Sequence, residues 1–417
     1  MTADCLKRIS PDALTGMIFA LEGMRNTVVL LNGPMGCRFY HSTTSQFITV
    51  RPLLYLPAEG SGERVPVDYN YLNDWFFRQE RVPCTYLDGY DYVYGTREKV
   101  AAAMTYIREN VDFDLFAIIN SPGAALIGDD LTELTRSLLP EGHAVMLESP
   151  GFSEPFEEGY AEALLALLEQ TGPALWRDRP APEKQKKRVN LLGISIWHRY
   201  FEGDLKELKR LFALCGIVVT ACPCAGSSLA DLALLGDADL NVVVYPETGT
   251  AAARFLEEHL GTPCYLCSGP PVGFDATERM FSEICAILGL SDAALKTESE
   301  RARALAWYKI HQVYTMSGKP KGLSFYVGGS PSQKAAYTAF LSDYLAMNAA
   351  EADGAELVFA DANLISELML RNRTFCGIEI NQPGMGYIDL IPKTHLGIEG
   401  ALFLTEQVLN GMMSRLS

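Results

Sequence analysis

The stretch Val28-Val29-Leu30-Leu31-Asn32-Gly33-Pro34-Met35-Gly36-Cys37 runs an aliphatic segment into a Gly-Pro-x-Gly turn that ends in a cysteine. Consecutive aliphatic residues with no polar alternation form the pattern of a parallel strand covered on both faces. The turn exposes backbone N–H groups and delivers a thiol at the strand's C-terminal end. Glycines there permit close approach, and N–H groups aimed at sulfur favour its negative charge. The plain alternative is a small buried residue capping a tight turn.

Outward from this stretch the pattern repeats. Leu115-Phe116-Ala117-Ile118-Ile119 and Ala144-Val145-Met146-Leu147 read as further buried strands, and residues 96–110 and 160–170 have helical spacing. The segment 172–188, GPALWRDRPAPEKQKKR, carries three prolines and a basic run and reads as an exposed linker. Beyond it, strands are expected at 189–196, 217–220, 240–244 and 264–266, with helices at 204–215 and 249–260. A third unit starts with a helix near 301–316. It continues with Leu323-Ser324-Phe325-Tyr326-Val327, a turn at Gly328-Gly329, a helix over 333–348 and a strand containing Val358 and Phe359. The expected fold is α/β, with three Rossmann-like, doubly wound parallel-sheet units at 1–172, 189–290 and 291–417, the linker occupying 173–188. Ligand sites then fall at the C-terminal ends of strands.

Bulk properties bound the function. A chain of 417 residues with 48% hydrophobic and 21% charged residues can bury sizeable cores in two or three domains. A net charge of −16 argues against a nucleic-acid partner, which needs a basic face. An acidic surface either keeps the protein soluble or steers a basic redox partner. No apolar run reaches the ~20 residues of a membrane span, and Met1-Thr2-Ala3-Asp4-Cys5 lacks the features of a secretory signal. Ten cysteines without an export signal suggest reduced thiols in a cytoplasmic protein, with metal or redox chemistry as their special use.

An ordered set of motifs then narrows the reading. GPMGC is followed by Asp91-Tyr92-Val93-Tyr94-Gly95, which reads as a strand, and by Asn120-Ser121-Pro122 and Ile127-Gly128-Asp129-Asp130. Ser149-Pro150-Gly151-Phe152 and Gly159-Tyr160 come next. Residues 204–216, Val327-Gly328-Gly329-Ser330 and Gly397-Ile398-Glu399-Gly400-Ala401 continue the series. The set resembles the nitrogenase component 1 family, which includes molybdenum–iron subunits, cofactor-assembly scaffolds, protochlorophyllide and chlorophyllide reductases and a nickel-tetrapyrrole reductase. That resemblance implies three Rossmann-like domains, pairing with a homologous subunit, paralogue or self, and an iron–sulfur cluster (4Fe-4S or larger) at the contact. It also implies electrons from a separate ATP-hydrolysing iron–sulfur protein. The chain has no Gly-x4-Gly-Lys-Ser/Thr phosphate loop, so ATP enters only through that partner.

The chain departs from the family's three-cysteine ligand pattern. Cys37 occupies the second position, Ser121 the third, and the first falls near residues 10–12, which hold no cysteine. Cys5 lies several residues too early. Either a paralogue supplies three ligands and Cys37 the fourth, or a homodimer supplies two per chain, with Cys84 or Cys5 as the extra one. A hydroxyl such as that of Ser121 is a weaker iron ligand than a thiolate. The nitrogenase cofactor's cysteine position corresponds to Tyr245, and His395 is displaced from its histidine position, so dinitrogen reduction at such a cofactor is not expected.

Several residues stand outside the pattern. Cys222-Pro223-Cys224 and Cys264-Tyr265-Leu266-Cys267 contain four thiols near strand ends, a set that suits zinc or a second cluster if the fold gathers them and reads otherwise as buried small residues. Asp129 and Asp130 are expected to cap a helix over 131–139. His198-Arg199 follows a strand and reads as an anion holder or a solvated pair, while Tyr245 and Glu247 are placed to line a substrate or cofactor cavity. No catalytic residue is assigned. Two functions follow: a reductase subunit acting on an unsaturated substrate, or a scaffold on which a metallocofactor is built. The first calls for a proton-donating constellation in the cavity, the second for a wide basic entrance.

Overall fold

The computed structural model describes residues 11–38, 55–57, 64–66, 82–148, 154–177, 186–384 and 389–413. Three parallel sheets organise the chain. The first has strand order β1 (Thr27–Asn32), β4 (Leu115–Asn120), β5 (Ala144–Glu148), with Leu31 beside Ile119 and Ile119 beside Leu147. All six residues of β1 and of β4 are buried, which is why both read as unbroken apolar runs. The second sheet runs β7 (Ile217–Val219), β6 (Lys187–Leu192), β8 (Leu240–Val243), β9 (Cys264–Leu266). The third runs β11 (Asn348–Ala349), β10 (Ser324–Val327), β12 (Leu357–Ala360), β13 (Cys376–Glu379). A short antiparallel pair, β2 (Tyr55–Pro57) and β3 (Arg64–Pro66), stands apart from these sheets.

The helices α1 (Ala13–Glu22) and α6 (Phe156–Trp176) cross in backbone contact. Both crossing points are glycines: a Cβ on Gly16 would sit 2.1 Å from the Phe156 carbonyl oxygen, and one on Gly159 1.9 Å from that of Ala13. α6 then packs with its other side against α9 (Pro246–Leu260) of the second unit. A single apolar core extends from Leu14 through Leu208, Phe325 and Met412, so the three units share one interior.

Several expected boundaries shift. Helix α6 continues through Trp176 with Pro173 inside it, and Lys187 and Arg188 already belong to β6. The linker is therefore shorter than its composition suggests, because burial of Thr171 and the preceding leucines carries the helix into the proline-bearing segment. Strand β6 stops at Leu192 because Gly193 turns at φ +87°, beneath the Tyr245 carbonyl. The helix expected over 333–348 is α12 (Pro331–Ala339) followed by one π-helical turn, Phe340–Tyr344, and Asn348 starts β11. Asp91-Tyr92-Val93-Tyr94, expected as a strand, forms the short helix α2 (Asp91–Tyr94). Asp130 accepts from Thr132 N at 2.9 Å, but the cap position of the helix Thr132–Leu138 is held by Leu131, so Asp130 stands one residue before it. Asp129 instead accepts from both Thr96 N and Thr96 Oγ1 at the start of α3 (Arg97–Asn110).

Candidate functional site

Two sites emerge from the residues singled out above. The first is built at the C-terminal edge of the first sheet. Asn32 ends β1 and donates to Asn120 Oδ1 at 2.9 Å and to Thr96 Oγ1 at 3.1 Å. Residues 83–87 lie along this edge: Leu31 N donates to the Pro83 carbonyl, Thr85 N to that of Leu31, and Leu87 N to that of Gly33. Two side chains of this segment then face the turn. Cys84 Sγ donates to the Gly33 carbonyl at 2.9 Å, and Thr85 Oγ1 receives Gly33 N at 3.0 Å.

Cys37 sits on a single 3-10 turn, Met35–Arg38, and its N–H donates to the Pro34 carbonyl at 3.1 Å. Its thiol is half-buried and hydrogen-bonded to the Ser121 hydroxyl. Burial raises its pKa, the Ser121 bond opposes that rise, and the Asp12 carboxylate adds to it. Ser121 is fully buried and caps the short helix α4 (Pro122–Ala125), accepting from Ala124 N at 3.4 Å. Only glycine fits at position 33, since a Cβ there would lie 2.6 Å from Ser121 Oγ. Tyr92 of α2 stands against Gly123 and is close enough to Cys37 and Cys84 for both thiols to raise its pKa, after burial, the largest cause. Around this cluster the surface is apolar: Met35, Val93 and Leu126 are 63%, 72% and 89% exposed.

This donor set fits a share of a metal cluster rather than a whole one. Cys37 presents one half-exposed thiol, Cys84 lies behind it at 4% exposure, and Ser121 is engaged with the Cys37 sulfur. Among the described residues no three His, Cys, Asp or Glu side chains converge in a way that holds a metal ion. The second-unit cysteines are not gathered either. Cys222 and Cys224 follow β7 while Cys264 and Cys267 accompany β9, and these strands are the two opposite edges of the sheet. Burial raises the Cys222 and Cys267 thiols to about 12. Cys5 and Ser149-Pro150-Gly151-Phe152 lie outside the described residues.

The second site is a cavity where all three units meet, and it collects His198, Tyr245 and Glu247. Phe156 and Glu157 of α6 line it from the first unit, Trp197 and Thr248 from the second, and Ser330, Gln333 and Asn381 from the third. The His198 ring stacks on Tyr245 with centroids 3.9 Å apart and an interplanar angle of 22°. Burial lowers the His198 pKa to about 3, so the ring is neutral. Its Nδ1 accepts from Ser195 N at 3.2 Å, which leaves the ring proton on Nε2. Burial pushes the Tyr245 hydroxyl well above its usual pKa, with Asp204 and Glu247 adding to the rise. Burial likewise raises Glu157, with Glu247 and Glu158 contributing and a backbone hydrogen bond opposing. Glu247 braces the start of α12, accepting from Ser332 N and Ser332 Oγ, both at 2.6 Å. Gln333 and Asn381 exchange amide hydrogen bonds at 3.1 and 2.8 Å. The cavity measures about 20 Å³, room for about one water molecule.

The expected solvated pair His198-Arg199 is not solvated. Both residues are buried, and Arg199 lies 3.3 Å from Glu379 and 2.6 Å from Asp389. His395 is buried as well, bonded to the Tyr337 hydroxyl at 2.7 Å and to Gln407 at 2.5 Å. Sequence reasoning missed Tyr92 and Glu157. Tyr92 belongs to a motif whose composition reads as a strand, and nothing around Glu157 in the sequence separates it from its acidic neighbours.

The nitrogenase component 1 type oxidoreductase family matches residues 13–352. The chain belongs to this family. Curated relatives include one subunit of the light-independent protochlorophyllide reductase of Rhodospirillum rubrum, 34% identical over 44% of this chain and 34% of the relative. The corresponding subunit from Synechococcus sp. (strain CC9605) is 30% identical over 70% of this chain and 52% of the relative. The chain thus spans between a third and about half of the length of these relatives. Among solved structures, nitrogenase Cp1 at pH 6.5 superimposes with a TM-score of 0.69 over 98% of this chain and 93% of that one, at 16% identity. The three parallel sheets are therefore the component 1 fold. No helix among the described residues is long and apolar enough to cross a membrane.

Proposed function

We propose that this component 1 type chain is a reductase subunit that shares an iron–sulfur cluster, four-iron or larger, with a homologous subunit and passes electrons to an unsaturated substrate. A separate ATP-dependent iron–sulfur protein supplies those electrons. The observation that carries the reading is Cys37: a half-buried thiol at a sheet's C-terminal edge, beneath the exposed apolar residues Met35, Val93 and Leu126. Such a thiol serves a ligand field completed from outside the chain, and the apolar rim suits the protein surface that completes it. Cys37 would be this chain's thiolate, Cys84 and Ser121 its neighbours, and the bound cluster would supply single-electron storage.

The cavity supports an enzyme over an assembly scaffold. A scaffold needs a wide basic entrance, whereas this cavity holds about one water and has the acids Glu157 and Glu247 in its wall. Its His198 Nε2–H and the hydroxyl of Tyr245 are proton-bearing groups in a buried setting, suited to hold a proton near a reduction. At about 20 Å³ the cavity admits neither a cofactor of nitrogenase size nor a bulky substrate, so a substrate reduced there meets the His198–Tyr245 pair at the cavity's mouth.

Anaerobic purification with iron and sulfide quantification and EPR tests this reading. A four-iron cluster shared between two chains gives about two irons per chain, a larger one more, and Cys37→Ala is expected to abolish them. Iron content unchanged in Cys37→Ala overturns the proposal.

A further inference from the structure

Two thiols of the second unit meet outside both sites. Helix α7 (Phe201–Leu214) is capped by Cys215, whose N–H donates to the Leu211 and Phe212 carbonyls at 3.3 and 3.0 Å before Gly216 turns the chain at φ +75°. Helix α10 (Phe274–Leu288) carries Cys285 in its last turn, and Leu290 N donates to the Cys285 carbonyl at 2.8 Å. One turn earlier on each helix, the buried rings of Phe212 and Phe281 pack with centroids 4.6 Å apart and fix the spacing of the two helix ends. That spacing brings the thiols into contact, with the Cys215 S–H donating to Cys285 Sγ. Both are buried free cysteines, yet each adjoins an exposed residue, Leu214 and Gly216 for the first and Ala286 for the second. A single layer therefore separates the pair from solvent.

The two sulfurs are not equivalent. Burial raises the Cys215 thiol to about 12, with the Cys285 sulfur and Asp292 adding to the rise. Burial raises Cys285 too, but the bond from Cys215 and the Lys296 ammonium oppose it, while Asp292 reinforces it. Cys285 is thus the sulfur that ionises first, beside a thiol that keeps its proton. We propose that Cys215 and Cys285 are a reversible two-electron oxidation site that takes a small hydroperoxide and yields a disulfide between the ends of α7 and α10. In the first step the Cys285 thiolate attacks the peroxide and the O–O bond breaks. The departing hydroxide takes up the proton that Cys285 released, leaving a sulfenic acid and water. In the second step the Cys215 sulfur displaces that hydroxyl group as a second water. Two thiols lose two electrons and two protons, and one hydrogen peroxide becomes two waters. A small dithiol reverses the change. The tie braces the junction with the third unit, because both helices grip it. Glu207 of α7 accepts from Ile398 N at 3.1 Å and Glu399 N at 3.0 Å, and Asp275 and Glu278 of α10 pair with Arg303 of α11 (Ala293–Ser317) at 2.9 and 2.8 Å. Nothing in this site depends on a cluster at Cys37.

The test treats the full chain, purified anaerobically, with a few equivalents of hydrogen peroxide. Cys37→Ala is run in parallel, so that iron chemistry is not read as thiol chemistry. After catalase and alkylation, peptide mapping without reductant should find Cys215 linked to Cys285, with two fewer free thiols per chain and both recovered by dithiothreitol. Single variants separate the roles. Cys215→Ser should leave Cys285 as a sulfenic acid that dimedone traps, whereas Cys285→Ser should leave Cys215 unmodified at the same dose. Oxidised wild type should also unfold at higher urea than the reduced chain, since the bond closes a loop of about 70 residues, and both variants should lose that shift. Far-UV circular dichroism verifies that the variants remain folded. Cys215 and Cys285 recovered as free thiols while other cysteines oxidise would overturn the proposal, and so would their over-oxidation without a cross-link. Dimedone on Cys215 in place of Cys285 overturns the assigned roles, and an unmoved urea midpoint overturns the brace.

Discussion

Replacing Asp204 with asparagine should remove a pH dependence built into the junction between the second and third units. Asp204 lies in α7 (Phe201–Leu214) and is fully enclosed, its Oδ1 accepting from Thr394 Oγ1 at 2.7 Å, His395 N at 3.0 Å and Leu396 N at 3.4 Å. These bonds hold the segment that leads into α14 (Gly397–Met413). Burial nevertheless dominates and raises the Asp204 pKa from 3.8 to about 7, with the three bonds opposing and Glu207 reinforcing. The folded state therefore retains a proton that the unfolded chain releases near pH 4. The associated stability is fully present below that pH and declines as pH rises, levelling off above pH 7. A rise of about three units at 1.36 kcal/mol each corresponds to about 4 kcal/mol, of which about 2 kcal/mol is lost between pH 5 and 7. Asparagine keeps the accepting oxygen and cannot ionise. The assay is the urea midpoint of both proteins at each pH from 5 to 8, where the other titrating groups cancel in the difference. The variant should gain on wild type by about 3 kcal/mol across that range. Parallel midpoint curves would refute the argument.

Other changes probe separate contacts. Gly159→Ala drives a methyl group into the Ala13 backbone and should prevent close packing of α1 on α6, with a loss of at least about 3 kcal/mol by urea unfolding. Tyr160→Phe removes the hydroxyl that donates to the Ile194 carbonyl at 2.8 Å and should cost about 1 kcal/mol in the same assay. Arg199→Ala leaves Glu379 and the largely enclosed Asp389 without their guanidinium and should cost about 3–5 kcal/mol, whereas Arg199→Met with Glu379→Gln should recover part of that loss. If Cys37 shares a cluster, Ser121→Cys offers a second thiolate beside it, and anaerobic iron analysis should find more metal retained per chain.

What could be read ahead of the fold followed the physics of burial. Strands β1 and β4 were legible because both faces are covered, so their residues are apolar without interruption. The placement of Cys37, His198 and Tyr245 beyond strand ends was legible because the aliphatic runs stop shortly before them. The α2 turn was not, because Tyr92, Val93 and Tyr94 favour strands intrinsically and only the local bonds around Asp88 and Asp91 close the helix. The separation of the four second-unit cysteines depended on strand order, which no local spacing encodes. Asp204 looked like an ordinary acid in a helix's first turn. Its enclosure comes from Thr394, His395 and Leu396, almost two hundred residues away along the chain. Glu157 and Asn381 reach the central cavity from the first and third units for the same reason.

Helix α6 forms a wall common to the first and second sheets, and its backbone contact with α1 leaves no slack for sliding. A hinge between those units would have to tear a continuous core rather than bend a tether. The span from the Cys37 turn to the His198–Tyr245 cavity is thus set like the gap of a soldered circuit. Motion between the first two units is thereby excluded as the source of any change in that span.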